Sequence, residues 1–313
     1  MRGVDTLRKV VVRALAQNSR RLAGLGFALL LALLWGLQWP LMKVALNELG
    51  PWTFRGLSLS MGALVLMAIA ALGNQPLRLP RRDIRPLLLV AIFATTGWQL
   101  MSAYGVSLMP PGRAVILGFT MPLWVVVLSG FLLKERPTIA QALGLLLGLI
   151  GMGILVGPEA LELGTAPLGP SIMLVAAACW ATGVVLVQFF SWSIPTITLA
   201  SWQLLLGSLP ILGCSFILES VAQDVINASA AALAATAFAI FIANSVCIYA
   251  WFRFIQLFSP QVAAISILLV PVVGVLASAL IVGDQIEARD LVALAFVVVS
   301  LGLVTLKRAA TPD

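Results

Sequence analysis

Histidine is absent from this 313-residue chain, and with it go the commonest general base and the commonest transition-metal ligand. Charge is scarce too. Only 10% of the residues are Asp, Glu, Lys or Arg, where a soluble globular chain needs about a quarter. The three cysteines, Cys179, Cys214 and Cys247, lie inside apolar runs without the paired spacing of a metal or redox motif, and read as small core residues. No GxxxxGK[ST] phosphate loop occurs, so this chain supplies no ATP drive of its own. The expectation is of no cofactor and no metal. An enzyme within the membrane would need a His, a carboxylate pair or a metal cluster facing a cavity, and the sequence offers none.

What the chain has instead is apolar surface: 61% of its residues are hydrophobic and its mean hydropathy is +1.07. The apolar residues recur in runs of roughly 20, the length a helix needs to cross about 30 Å of hydrocarbon. Strand-like alternation is missing, and lipid accepts only helices or closed barrels. The chain therefore reads as an all-α polytopic membrane protein. Breaks in the apolar pattern delimit ten transmembrane helices, at about 22–44, 52–72, 86–106, 113–133, 139–156, 170–190, 196–218, 231–254, 261–282 and 289–306. Pro51, Pro86, Pro170, Pro195 and Pro260 stand at or just before first turns, where the missing N–H removes no helical bond.

A net charge of +7 suggests nucleic acid at first sight, but the basic residues flank apolar spans. With a cytoplasmic amino terminus, ten spans put on the cytoplasmic side the leading Arg2, Arg8, Lys9, Arg13, Arg20 and Arg21. Arg78, Arg81, Arg82, Arg85, Lys134, Arg136, Arg253, Lys307 and Arg308 fall there as well. Glu48, Glu159, Glu162, Glu219, Asp224, Asp284, Glu287 and Asp290 fall opposite. This is the positive-inside distribution, with both termini cytoplasmic, lipid as the surroundings and no nucleic-acid partner. Residues 1–21 form a basic segment whose apolar patch is too short for a cleaved signal, and which reads as an interfacial helix or a positive tail. Residues 307–313 form the other tail.

The chain also repeats itself. A gapless shift of 149 lays Leu108 on Leu257, Pro111 on Pro260, Pro122 on Pro271, Ser129 on Ser278 and Glu135 on Asp284, and a shift of 145 lays Trp35 on Trp180. Two halves of five helices follow, 22–157 and 158–306. Five is odd, so the halves enter the membrane from opposite sides as inverted repeats. In transporters of that architecture the substrate binds near the midplane between repeats.

Trp35-Gly36 in the first helix, the proline-led fourth and ninth helices ending at Glu135 and Asp284, and the fifth helix GLLLGLIGMGILVG resemble the drug/metabolite transporter superfamily. Within it, the chain resembles the ten-helix exporters built from two EamA-like domains. The tenth helix departs from the pattern, keeping only Gly302 where the fifth has Gly144, Gly148, Gly151 and Gly153. The resemblance implies a cell inner-membrane exporter of small metabolites, commonly amino acids, with a cavity lined by the first, third, fourth, sixth, eighth and ninth helices. The branch exporting aromatic and neutral amino acids is the most similar. A drug or quaternary-ammonium exporter of the same superfamily is the rival, and such sites usually set a carboxylate against the cation.

Polar groups at mid-span depth are costly unless they have partners, so they mark the expected cavity. Trp35, Gln38, Trp39 and Met42 share one face of the first helix, and Thr95, Trp98, Gln99 and Ser102 one face of the third. Trp180, Asn244, Ser245, Tyr249, Thr120 and Ser266 complete the candidate substrate-binding set. Amides and hydroxyls there would bond the ammonium and carboxylate of an amino acid, and the rings would hold its side chain. The same groups would otherwise bond helix to helix. Pro122 and Pro271 are candidate hinges. Lys43, Arg55, Arg113 and Arg253 fall near span ends, where they can snorkel. With no carboxylate at mid-span, facilitated diffusion by alternating access is expected. The glycines of the fifth helix suit internal packing or dimerisation, and a monomer or weak homodimer is expected.

Overall fold

The computed structural model describes residues 2–134, 137–163, 168–257 and 260–306. Within these, the side chains of 2–23, 156–163, 252, 255–257, 260–266 and 304–306 are not among those described. All secondary structure among the described residues is helical, and a helix stands at each of the ten expected places. They are α1 (Arg2–Leu46), α2 (Pro51–Leu72), α3 (Arg81–Leu108), α4 (Pro111–Leu132), α5 (Ile139–Leu163), α6 (Leu168–Phe189), α7 (Thr196–Leu218), α8 (230–257), α9 (Pro260–Val282) and α10 (Ala288–Leu306). A short helix, Val221–Asn227, joins α7 to α8. Seven of the ten pass as membrane spans by length and composition, and the described apolar stretches of α5 and α9, Ile139–Leu155 and Ile267–Val282, are shorter. This is a polytopic helical membrane protein.

The backbone of the basic leading segment continues directly into α1. Proline opens α2 and α4, supplying fixed φ where no N–H partner exists. α4 is not one rod. It breaks at Phe119–Thr120 and restarts at Met121–Leu132 with Pro122 in the first turn, whereas Pro271 sits inside an uninterrupted α9. The two candidate hinges thus occupy different local geometries, and only the first coincides with a break.

Hydrogen bonds at the helix ends fix the relative directions of α2 and α7. Glu219, at the end of α7, accepts from the N–H groups of Trp52 and Thr53 at 3.2 and 2.7 Å, capping the start of α2. Glu48, after α1, accepts from Ser229 N–H and Oγ, both at 2.6 Å, at the start of α8. At the opposite end, Thr198 and Trp202 of α7 donate to the carbonyls of Pro76 and Leu77, just after α2. Ser193 there bonds Asp83 of α3. α2 and α7 therefore run in opposite directions, as counterparts in an inverted pair must.

The Glu48 contact makes a pH prediction. The two bonds from Ser229 hold the Glu48 carboxyl below its ordinary value, so its contribution to stability is present above that value and lost as pH falls through the depressed one. In detergent, wild-type protein should melt above Glu48→Ala at neutral pH, and the gap should close below about pH 4. A gap independent of pH would show that the carboxylate is not the group that matters.

The first helix of each half packs against the other half. α1 lies along α9 and touches α8, while α6 lies along α4 and α3. Glycines allow these approaches: a Cβ at Gly36 would lie 2.5 Å from Val273 Cγ1 on α9, and one at Gly183 only 2.3 Å from Ala94 Cβ on α3. The glycine face of α5 packs internally. Gly148 and Gly151 meet Leu123, Ser300 and Phe296, and Ser300 donates to the Gly144 carbonyl at 2.7 Å.

Candidate functional site

The third helix of each half contains a π-helical segment, Ala91–Gly97 in α3 and Phe238–Val246 in α8. Each extra residue per turn leaves a carbonyl that the ordinary ladder cannot satisfy and rotates the following side chains. Both segments pack on a glycine of the other half. Thr96 Oγ1 donates to the Gly207 carbonyl at 2.7 Å on α7, and Ser245 Oγ lies 3.0 Å from the Gly62 carbonyl on α2.

Immediately after the first π segment, Trp98 stacks on Trp180 of α6 with ring centroids 4.6 Å apart and planes at 29°. Trp39 of α1 meets Trp98 edge-on at 6.2 Å, and Phe119, at the break in α4, meets Trp180 edge-on at 6.1 Å. Gly118 makes room, since a Cβ there would lie 3.0 Å from the Trp39 ring and 3.2 Å from the Trp98 ring. Four helices from both halves thus converge on one aromatic group. A second pair, Trp35 with Trp251 at 5.7 Å, joins α1 to α8. Each half's first helix presents a tryptophan to the other half's third.

Of the residues expected to line a cavity, the structure brings Trp39, Trp98 and Trp180 together and places Trp35 in the second pair. Gln38 precedes Trp39, and its Oε1 is buried with no hydrogen-bond partner among the described residues. Gln99 is half-buried beside Trp98, and Ser102 Oγ donates to the Gln99 carbonyl at 3.0 Å.

The other candidates are engaged in packing. Thr95 is buried against Gly207, with Gln203 Nε2 at 3.5 Å. Asn244 Nδ2 donates to the Ser58 carbonyl at 3.4 Å, and Ser245 Oγ also donates to the Ile240 carbonyl at 2.6 Å. Thr120 Oγ1 returns to the Leu117 carbonyl at 2.6 Å, closing the break in α4. Tyr249 packs with Leu66, Ala70 and Ile197, away from the tryptophans. The side chain of Ser266 lies outside the described residues.

Three basic residues, Arg113, Arg55 and Lys43, differ from the snorkelling expected of them. Arg113, at the start of α4, is held by Glu287 of the α9–α10 turn at 2.7 Å and by Asp290 in the first turn of α10 at 2.9 Å. Arg55, one turn into α2, is only 3% exposed. Its Nη2 reaches Met42 Sδ at 2.8 Å and Ser102 Oγ at 3.0 Å, one residue from each expected stripe. No carboxylate lies within 4.0 Å of it among the described residues, and its Nε has no partner. A guanidinium within a span costs roughly 3 kcal/mol or more. Sequence reasoning missed it because Arg55 stands four residues after the proline that opens α2, near enough to an end for snorkelling; its inward direction comes from the fold. Lys43 instead closes the end of α3, donating to the carbonyls of Val106 and Ser107 at 2.8 and 2.9 Å.

Among the described residues no group of three His, Cys, Asp or Glu side chains is placed to hold a metal ion. The buried carboxylates Asp83 and Asp290 lie at the starts of α3 and α10, and each is bonded.

The EamA-like transporter family model matches this chain twice, over residues 22–157 and 167–306. The chain is similar to the uncharacterized transporter YoaV of Bacillus subtilis, 30% identical over 60% of this chain and 65% of that protein. It is similar to the probable amino-acid metabolite efflux pump of Salmonella typhimurium, 25% identical over 84% of this chain and 88% of the pump. It is similar also to the aromatic amino acid exporter YddG of Ancylobacter novellus, 29% identical over 58% of this chain and 65% of the exporter. A solved crystal structure shares the fold, with a TM-score of 0.61 at 23% identity over 90% of this chain and 97% of the other. Two family matches that together span most of the residues, on a polytopic helical fold, establish that the chain belongs to the EamA-like transporter family and is a membrane transporter, not an enzyme.

Proposed function

We propose that this protein exports neutral and aromatic amino acids across the cell inner membrane by alternating access. The observation that carries the reading is the tryptophan group of Trp39, Trp98 and Trp180, with Gln38, which precedes Trp39 in α1, holding a buried Oε1 that has no partner among the described residues. A buried acceptor left unmet costs about 1–3 kcal/mol. A substrate ammonium would meet it, and the indole faces would receive an apolar or aromatic side chain. The efflux pump and the exporter named above support the same substrate class.

The expected mechanism is facilitated diffusion. The buried carboxylates Asp83 and Asp290 stand at helix starts, bonded to Ser193 and Arg113, and are poorly placed to carry protons through the centre. We infer that both termini are cytoplasmic, because the connections bearing Arg78, Arg81, Arg82, Arg85 and Lys134 are basic and those bearing Glu48, Glu219 and Glu287 acidic. The functional unit is taken as a monomer or weak homodimer, since α5 uses Gly148 and Gly151 internally.

The test is uptake of labelled phenylalanine into proteoliposomes, with and without a proton gradient. We expect flux that is indifferent to the gradient and that falls roughly tenfold in Gln38→Ala, with folded yield unchanged. Transport of a cationic dye but of no amino acid would favour a drug exporter instead. Dependence on the gradient would replace the facilitator mechanism alone.

A further inference from the structure

Among the described residues, Arg55 is a cation without a counter-ion. It is 3% exposed, no carboxylate lies within 4.0 Å among the described residues, and both of its recorded hydrogen bonds run through Nη2, to a thioether and a hydroxyl. Met42 Sδ is a weak acceptor, and Ser102 Oγ is a neutral one. Nε is buried with nothing among the described residues to receive its proton. Five N–H donors in a rigid fork are therefore served by two modest acceptors. Phe54, whose ring centroid lies 5.3 Å from the guanidinium carbon, neutralises nothing. A group so costly to bury, and so incompletely satisfied, is poor packing glue.

Its position gives it a direction. Arg55 belongs to α2 but touches Met42 of α1 and Ser102 of α3, each at the end of the stripe that carries Gln38 or Trp98. Gln38 lies one helical turn before Met42 on the same face of α1. An acceptor lacking a donor and a cation lacking an anion thus stand at successive turns of one wall. Planar, forked recognition by guanidinium is the chemistry that selects a carboxylate.

We propose that Arg55 anchors the carboxylate of the transported molecule, and that the site selects for a carboxylate-bearing substrate. This rests on the reading above in placing the substrate between α1 and α3. It deepens that reading by giving each pole of an α-amino acid its own partner, Arg55 for the carboxylate and Gln38 for the ammonium. It also disfavours cationic drugs, which would meet a like charge.

The test uses purified full-length protein and three probes with a common ring: phenylalanine, phenylpyruvate, which lacks the ammonium, and phenethylamine, which lacks the carboxylate. Binding is read as the ligand-dependent rise in melting temperature, and transport as counterflow of labelled phenylalanine. Wild type should bind both carboxylates more tightly than phenethylamine, by roughly tenfold to a hundredfold. Arg55→Gln should lose that preference, and Arg55→Lys should keep part of it. Equal binding of phenethylamine and phenylalanine by wild type, or binding of none of the three, would overturn the proposal even if Arg55→Gln failed to fold. An unchanged preference in folded Arg55→Gln would overturn it too. If phenylpyruvate binds through Arg55 while phenylalanine neither binds nor moves, the amino-acid reading fails and the carboxylate anchor stands. An anionic lipid headgroup is the other source of an anion. Stabilisation by phosphatidylglycerol vesicles, absent with phosphatidylcholine and lost in Arg55→Gln, would assign Arg55 to lipid and overturn a role in substrate selection.

Discussion

Leucine at position 183 should leave no folded protein. Gly183 on α6 faces the π segment of α3, where a Cβ would lie 2.3 Å from Ala94 Cβ and 2.9 Å from both its Cα and its backbone nitrogen. Two of these are main-chain atoms of a packed helix and the third is a Cβ fixed by that main chain, so none can rotate aside as a long side chain would. Even alanine must separate α6 from α3, and overpacking of this kind typically costs about 1–3 kcal/mol. Leucine adds three carbons to the same clash. In detergent, Gly183→Ala should lower the melting temperature, and Gly183→Leu should give no monodisperse peak on size exclusion. Gly153→Leu is the matched control, because a Cβ at Gly153 meets nothing within 4 Å. A wild-type melting curve for Gly183→Leu would show that α3 and α6 do not meet as described.

Trp98→Ala should give the largest loss of transport among variants that still fold. Trp98 is the middle ring of the group, stacked on Trp180 at 4.6 Å and edge-on to Trp39 at 6.2 Å, so its removal separates α1 from α6 in the proposed site. Each aromatic contact contributes about 0.5–1.5 kcal/mol beyond the area it buries. Two such contacts, if made to a substrate ring in transit, correspond to a flux lower by roughly tenfold to a hundredfold. The control is Trp202→Phe, because Trp202 is tied to the Leu77 carbonyl at the far end of α7. Its flux should stay near wild type. Equal flux in Trp98→Ala and wild type, at equal folded yield, would move the substrate path away from the tryptophans.

The helices were legible in the sequence because hydropathy and proline punctuation follow directly from the need to satisfy backbone groups in lipid. The faces of those helices were less so. Thr95, Trp98, Gln99 and Ser102 form one stripe only if 3.6 residues make a turn throughout, yet a π segment ends at Gly97. Thr95 consequently faces Gly207 on α7 while Trp98 faces Trp180 on α6. The same change turns Asn244 and Ser245 toward α2. A π turn has no composition of its own, so no run of residues announced it. Arg55 was hidden for a different reason. Its distance from the start of α2 could be read from the chain, whereas the acceptors it reaches, Met42 and Ser102, lie on other helices.

The crossed tryptophan pairs make the two halves depend on each other. Taken alone, residues 22–157 would keep Trp35 and Trp98 but lose Trp251 and Trp180, so Trp35 would lose this ring partner and Trp98 would keep only its edge-on contact with Trp39. The same amputation would strip Gly36 of Val273. One five-helix unit is thus half of a handshake, since the leading helix of each packs against the other.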